Sequence, residues 1–529
     1  MRLNARAQSV NNKKLSGKVL HMFSKVKSIG IFGMETFEVE VEADISQGLP
    51  RFDIVGLPDA AVKESKERVR SSLKNCAFDY PTSRITVNIA PADVKKEGSV
   101  YDLPIFMTIL VATKQLRANL DGTAFLGELS LNGEIRACRG VLPMVIKARD
   151  LNIKSIFVPW GNMAEASIVN DIDVYPAKTV KEIVEHLNGK NPIEPCYKEL
   201  GDEELSTSLI DFDDVKGQAN AKRALEIAAA GGHNCIMIGP PGTGKSMLAK
   251  RMPTILPAMT FEEKLETTKV YSIAGELPSD KRIISERPFR SPHHTISAQG
   301  MTGGGVNLRP GEVSLAHNGV LFMDEFPEFD RRCKESLRQP MEDGTVTISR
   351  SNGTVSYPSN LMVVAAMNPC PCGYFGHPTK KCTCTEGALK RYKDKISGPI
   401  LDRIDIHIEV ESVDYEKLSS KEKGESSATI RARVNKARER QRERFKGTGI
   451  TCNAKMSPKM TKEYCVLDEE SSALLEKSFN SLGLSARAYD KILRVARTIA
   501  DIEECDNIKT EHVMEAIQYR SLDRNYFEH

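Results

Sequence analysis

The sequence predicts an α/β fold built on a parallel sheet, and three stretches predict it. A short apolar run, Cys235-Ile236-Met237-Ile238, leads into Gly239-Pro240-Pro241-Gly242-Thr243-Gly244-Lys245-Ser246 and then into a helix start at 247–251. A second continuous apolar run, 319–323, closes on Asp324-Glu325, and a third, 360–367, closes on Asn368. Uninterrupted apolar runs are what strands show when both faces of a parallel sheet are covered, and such sheets present their chemistry at the carboxyl ends of the strands.

The first stretch has the form G-x-x-x-x-G-K-S, and its chemistry requires that layout. Gly239, Gly242 and Gly244 let the backbone curl so that successive N–H groups point at phosphate oxygens, and the helix N-terminus adds its positive end. Lys245 would reach the β- and γ-phosphates, and the Ser246 hydroxyl would ligate Mg²⁺. The bland alternative is a Gly/Pro turn between strand and helix, which the flanking strand and helix argue against. Asp324 would hold Mg²⁺ through water, and Glu325 would orient and polarise the attacking water. ATP and Mg²⁺ are the cofactors this pattern calls for.

Composition frames that site. At 529 residues, with 40% hydrophobic and 27% charged content, the chain has room for about three or four domains. No apolar run reaches the roughly 18 residues of a membrane span, and the basic stretch 1–27 has no signal-like apolar core. The expectation is a cytoplasmic protein with no membrane partner. A net charge of +3 does not by itself indicate nucleic acid. Twelve cysteines, scattered apart from one tight group, suggest reduced thiols and a candidate metal site rather than a disulfide framework.

Residues 1–21 read as a disordered extension. The alternating runs 36–43 and 84–89 read as half-buried strands, and 59–73 reads as a helix whose apolar face would use Ala60, Val62 and Val69. They belong to an α+β domain over 22–195, followed by an acidic linker, 196–210. A core over 211–412, a basic helical segment over 413–455 and a helical lid over 456–529 complete the expected organisation. Within the core, 219–230 reads as a helix.

Gly48-Leu49-Pro50, Ile54-Val55-Gly56-Leu57-Pro58-Asp59, 86–93 and 127–134 resemble the first domain of the YifB/ComM family of magnesium-chelatase-like AAA+ ATPases, and the resemblance extends to about residue 519. It implies that the first domain is similar in fold to the proteolytic domain of Lon, itself related to domain 2 of ribosomal protein S5. A Lon-like peptidase needs a Ser nucleophile and a Lys base. Val100 stands where the nucleophile would be, with Ser99 beside it, and 139–142 replaces the lysine segment. The implied role is therefore structural or partner-binding.

The same resemblance assigns the lead-in 211–218 to the border of an adenine pocket, although those residues alone would read as a loop and helix cap. It makes Asn368 sensor 1, contacting the γ-phosphate or the lytic water. Arg403, in 398–405, becomes an arginine finger reaching a neighbour's ATP; without the family match it would read as a surface salt bridge to Asp402 or Asp405. Arg487 matches sensor 2 on the lid. A finger acting in trans implies a homo-oligomer, most plausibly a hexamer. ComM in this family is a ring helicase driving branch migration during natural transformation, so DNA is the implied partner. The rival reading is a magnesium-chelatase- or MoxR-like ATPase remodelling a protein partner.

Three further stretches bear on partners. The resemblance implies that the segment 289–317 is a helix-2 insertion of the kind that faces the central pore; its adjacent His293 and His294 are poorly spaced for one metal ion. Alternation across Asn352-Gly353 predicts a hairpin over 345–357 that carries Arg350 towards DNA or simply towards solvent. Arginines at nearly every second position of 431–444 suggest either a solvated helix or a phosphate-contacting surface, with Arg438 and Arg442 as its representatives. Finally Cys370, Cys372, Cys382 and Cys384 form two C-x-C pairs, suited to Zn²⁺ but more tightly spaced than usual, with reduced thiols as the alternative.

Overall fold

A computed structural model describes residues 22–197, 210–305, 307–350, 353–412 and 424–520. The expected extension 1–21, nearly all of the linker, the hairpin residues Ser351 and Asn352, and the start of the basic segment lie outside the described residues. The chain divides into two compact units, Met1–Lys198 and Glu199–His529.

In the first unit the strands are β1 (Met22–Phe32), β2 (Glu35–Ser46), β3 (Arg51–Val55), β4 (Arg84–Ala90), β5 (Thr123–Phe125), the short pair β6 (Glu128–Leu129) and β7 (Ile135–Arg136), then β8 (Ser155–Pro159) and β9 (Asp173–Ala177). Among the described residues, seven of them form one mixed sheet in the order β3-β4-β2-β1-β5-β8-β9. Period-2 patterning sets the faces: Val39, Val41, Ala43 and Ile45 of β2 are fully buried, while Glu38 and Glu40 pair with Lys27 and Lys25 across the strand. The helix Asp102–Ala112 is buried nearly all round. The expected first helix runs Ala60–Asn75, capped by the Asp59 carboxylate, which accepts from the Val62 N–H. Its buried face is Val62, Ser65, Val69, Ser72 and Leu73; Ala60, expected on that face, is exposed because it sits in the first turn, off the stripe.

The second unit is built on β10 (Cys235–Ile238), β11 (Phe289–Arg290), β12 (Gly303–Gly304), β13 (Arg309–Pro310), β14 (Val320–Met323), β15 (Thr345–Arg350), β16 (Gly353–Pro358), β17 (Met362–Met367) and β18 (Ile406–Glu409). Among the described residues, five of these strands form a parallel sheet in the order β11-β14-β17-β10-β18. Alternation sends Cys235, Met237, Phe322 and Val364 into one core, with the C-terminal helices, and Ile236, Ile238, Leu321, Met323 and Val363 into the other. Both faces are covered, which is why these strands read as continuous apolar runs. The lid helix Ala486–Ile502 buries Ile492, Leu493, Val495 and Ala496 as its pattern predicts. Among the described residues no helix is long and apolar enough to cross a membrane.

Candidate nucleotide-binding site

The loop 239–246 begins where β10 ends. Gly239 donates its N–H to the Met367 carbonyl at 3.2 Å and packs so tightly that a Cβ would sit 2.2 Å from the Val410 carbonyl oxygen. Gly244, at φ 87°, caps the helix Lys245–Ile255 from the left-handed region and turns the helix's opening N–H groups into the loop. The lead-in 211–218 is tied to it. Gln218 Nε2 donates to the carbonyls of Thr243 (3.3 Å) and Glu411 (2.6 Å), and Arg251 donates to the Asp211 carbonyl and pairs with Asp214.

Parallel pairing sets the carboxyl ends of β10, β14 and β17 side by side, and each delivers one part of the site. Ser246 Oγ donates to Asp324 Oδ2 at 2.6 Å. Lys245 Nζ donates to the carbonyls of Gly239 (2.7 Å) and Pro240 (2.8 Å) and to Asn368 Oδ1 (3.2 Å). Burial lowers the Lys245 pKa, opposed by the charge of Asp324. Lys245, Ser246, Asp324 and Asn368 thus meet at one point, where phosphate oxygens could replace the bonds these groups now make to each other. The adjacent hydroxyl and carboxylate oxygens are the hard donor set that suits Mg²⁺, which would neutralise phosphate charge when bound.

Glu325 takes a left-handed backbone conformation, φ 51°, just past the end of β14, and its N–H donates to Asp324 Oδ1. Its carboxylate lies 3.2 Å from His294 Nδ1, and the His294 ring stands 4.2 Å from that of His293. Sequence reasoning considered the two histidines only as metal ligands and missed this contact. Nothing in their spacing signals it, because the partner lies thirty-one residues on.

Arg403 and Arg487 are elsewhere. Residues 402–405 immediately precede β18, which runs parallel to β10, so they lie at the amino ends of the strands. Asn234, the residue before β10, bonds the Arg403 carbonyl, and the Asp405 N–H bonds the Asn234 carbonyl. Arg403 pairs with Glu342 and donates to the Pro399 carbonyl; Arg487 lies 3.6 Å from Asp402. Both arginines line one polar pocket with Glu342, Asp490, Lys491 and Arg494. The phosphate loop starts five residues after Asn234, about 16 Å away at strand rise, so neither arginine shares a site with its own loop. Arg487, expected as sensor 2 on the lid, is grouped by the fold with Arg403.

The two strands pair as patterned, Thr345 with Pro358 and Arg350 with Gly353, with Arg350 exposed at the end of β15. A second, shorter hairpin, β12–β13, lies against it: Tyr357 Oη donates to the Leu308 carbonyl, and exposed Arg309 sits on the shorter hairpin.

The basic helix corrects one expectation. It runs Ser427–Arg444 and buries Ile430, Val434, Ala437 and Gln441, so its arginines flank an apolar stripe rather than surround a solvated rod. Arg433 pairs with Glu226 and Glu425, Arg440 with Asp506 and Arg444 with Asp501. Arg438, assigned to DNA, spends its guanidinium on the Ala229 and Thr451 carbonyls, whereas Arg442 is exposed.

In the first unit, Ser99 donates to Glu128, the buried Lys96 ammonium donates to the Val94 carbonyl, and Val100 is buried ahead of the helix Asp102–Ala112.

The parallel sheet, the loop 239–246, the Asp-Glu strand end and Asn368 all lie in a part of the chain that sequence comparison places in a family. The magnesium chelatase subunit ChlI family matches residues 211–418, its C-terminal part matches 424–520, and a further ChlI family covers 41–162. The uncharacterized protein YifB of Salmonella typhimurium is 43% identical over 93% of this chain and 96% of its own. Competence protein ComM of Haemophilus influenzae is 42% identical over 94% of this chain and 97% of its own. The chain belongs to the YifB/ComM family. Its second unit is thus a magnesium-chelatase-like AAA+ ATPase domain with C-terminal helices. A remoter similarity, 23% identity over 40% of the chain, links this YifB/ComM protein to the DNA replication licensing factor mcm6 of Dictyostelium discoideum.

Proposed function

We propose that this protein hydrolyses ATP as a homo-oligomeric ring, most simply a hexamer, and moves DNA. One observation carries the reading: the phosphate loop follows the carboxyl end of β10, whereas Arg403 and Arg487 line one pocket at the amino ends of the strands. A hydrolytic site is then complete only where one copy offers Lys245, Ser246, Asp324, Glu325 and Asn368 and the next offers Arg403 and Arg487. Glu325 would take up the proton of the attacking water, Lys245 and Asn368 would hold the γ-phosphate, and the neighbour's arginines would meet the charge that grows in the transition state. The resident cations of this reading are Mg²⁺ at the phosphates and Zn²⁺ among the four cysteines.

DNA is supported by the two hairpins, which carry the exposed Arg350 and Arg309, and by two relatives' names, competence protein and replication licensing factor. The test is steady-state ATPase with single-stranded, duplex and branched DNA against a Glu325→Gln control. Stimulation by DNA that vanishes in the control supports the reading; a rate indifferent to all three DNAs overturns the DNA part. A protein substrate is the second reading, favoured by the exposed Leu49, Val55, Leu57, Leu131 and Trp160 of the first unit.

A further inference from the structure

Between β17 and the helix Glu386–Lys393 the chain folds Cys370, Cys372, Cys382 and Cys384 together. Their sulfurs all lie within 4.8 Å of one another, with Cys370–Cys372 at 3.3 Å, Cys372–Cys382 at 3.6 Å and Cys370–Cys382 at 3.8 Å. Four sulfurs each about 2.3 Å from a central Zn²⁺ stand about 3.8 Å apart along the edges of a tetrahedron. All four cysteines are free of disulfides. Thiols are weak donors and acceptors, so four of them converging gain little from each other, while a dication would bind all four as thiolates. The backbone N–H of Phe375 donates to Cys370 Sγ at 3.3 Å, the kind of support a ligating sulfur receives. Soft sulfur donors select Zn²⁺ over Mg²⁺.

The cage is joined to the phosphate site at two points. Cys370 is two residues beyond Asn368, whose Oδ1 accepts from Lys245 and whose carbonyl accepts from Tyr392 Oη at 3.2 Å. Tyr392 lies on the helix that starts two residues after Cys384. Gly373, between the two cysteine pairs and at φ 82°, rests on the phosphate loop: a Cβ there would lie 2.6 Å from Pro241 Cδ.

We propose that the four cysteines hold one Zn²⁺ in a closed, structural site that fixes Asn368 and Pro241 where the nucleotide phosphates are received. The proposal rests on the reading of 239–246 as the nucleotide site and gives that site a metal strut. The ion has four protein ligands and no open position for water, so its role is mechanical rather than chemical.

Metal analysis of the full-length, reduced chain purified without chelator, together with binding of a fluorescent ATP analogue, tests it. The expected result is about one zinc per chain, with Co²⁺ substitution giving the visible bands of a tetrahedral thiolate site. A Cys382→Ser, Cys384→Ser variant should lose the zinc and bind the analogue about ten-fold more weakly. Gly373→Ala should keep the zinc and show the weaker binding, which separates the strut from general unfolding. A chain that contains no zinc and takes up none, or holds iron instead, overturns the site. Zinc removal that leaves analogue affinity unchanged overturns the strut. Lys245→Ala tests the underlying reading by itself: it should keep its zinc and lose the analogue, and if it binds the analogue normally the nucleotide assignment fails whatever the cage contains.

Discussion

Replacing Arg403 with alanine removes a guanidinium whose backbone is pinned to Asn234, at the amino end of β10, while the loop it would serve begins beyond the carboxyl end. At about 3.3 Å per residue the two are about 16 Å apart, too far for one side chain to bridge. On the proposed reading the arginine would serve a neighbour's nucleotide, and Arg403→Ala should leave ATP affinity near wild type while lowering kcat by about 10³–10⁵. Lys245→Ala should lose activity through the other half of the site. Mixed one to one, the two inactive variants should recover turnover, because about one interface in four joins an intact loop to an intact arginine. The assay is steady-state ATPase of the mixture against each variant alone, with assembly checked by size-exclusion chromatography and light scattering. A mixture that co-assembles yet stays inactive, or an Arg403→Ala protein that hydrolyses ATP normally, would refute the reasoning.

His294→Ala should change kcat several-fold and leave nucleotide affinity unmoved, since the ring touches Glu325 and not the loop; rapid-equilibrium binding beside turnover checks this. Asp405→Asn strands the buried Lys491 ammonium, 2.8 Å from the carboxylate, and should cost about 3–5 kcal/mol in denaturant unfolding. Burial lowers the His233 pKa, so the unfolded chain takes up that proton first. Its stability contribution should be complete above about pH 6.5 and fall as pH drops below it, and His233→Gln should flatten the fall. Arg438→Ala should lower stability by about 1–3 kcal/mol and leave the salt dependence of DNA binding unchanged. Arg350→Ala and Arg309→Ala should each reduce the log K versus log[salt] slope by about 0.9 on duplex DNA.

The candidate nucleotide site was legible because its parts are local: each sits at the end of an apolar run, and glycine spacing marks the loop. The parallel sheet followed from those runs, and the hairpin from alternation around Asn352-Gly353. What could not be read depends on partners distant in sequence. Nothing in 431–444 reveals that Arg444 meets Asp501 or that Arg438 finds the Ala229 carbonyl, so a charge count overstated the surface available to phosphate. Ala60 was misplaced because a helical stripe fixes its face only once the capping residue is known. The location of Arg487 needed the lid's packing: a motif names a residue's chemistry, whereas the end of the sheet it reaches is a tertiary fact.

The separation of loop and arginines along β10 also limits the symmetry of any active assembly. On the proposed reading each copy would carry a receptor at one end of the sheet and a donor at the other, which a head-to-tail contact would satisfy directly. Such contacts either close into a ring or leave an open chain of copies. In an open chain the first loop lacks a donor and the last donor lacks a loop, so the yield per subunit rises with length and becomes complete only on closure. On the proposed reading catalysis would thereby be a property of the circle, and a lone copy, however well folded and however tightly it holds its nucleotide, would be half an enzyme twice over.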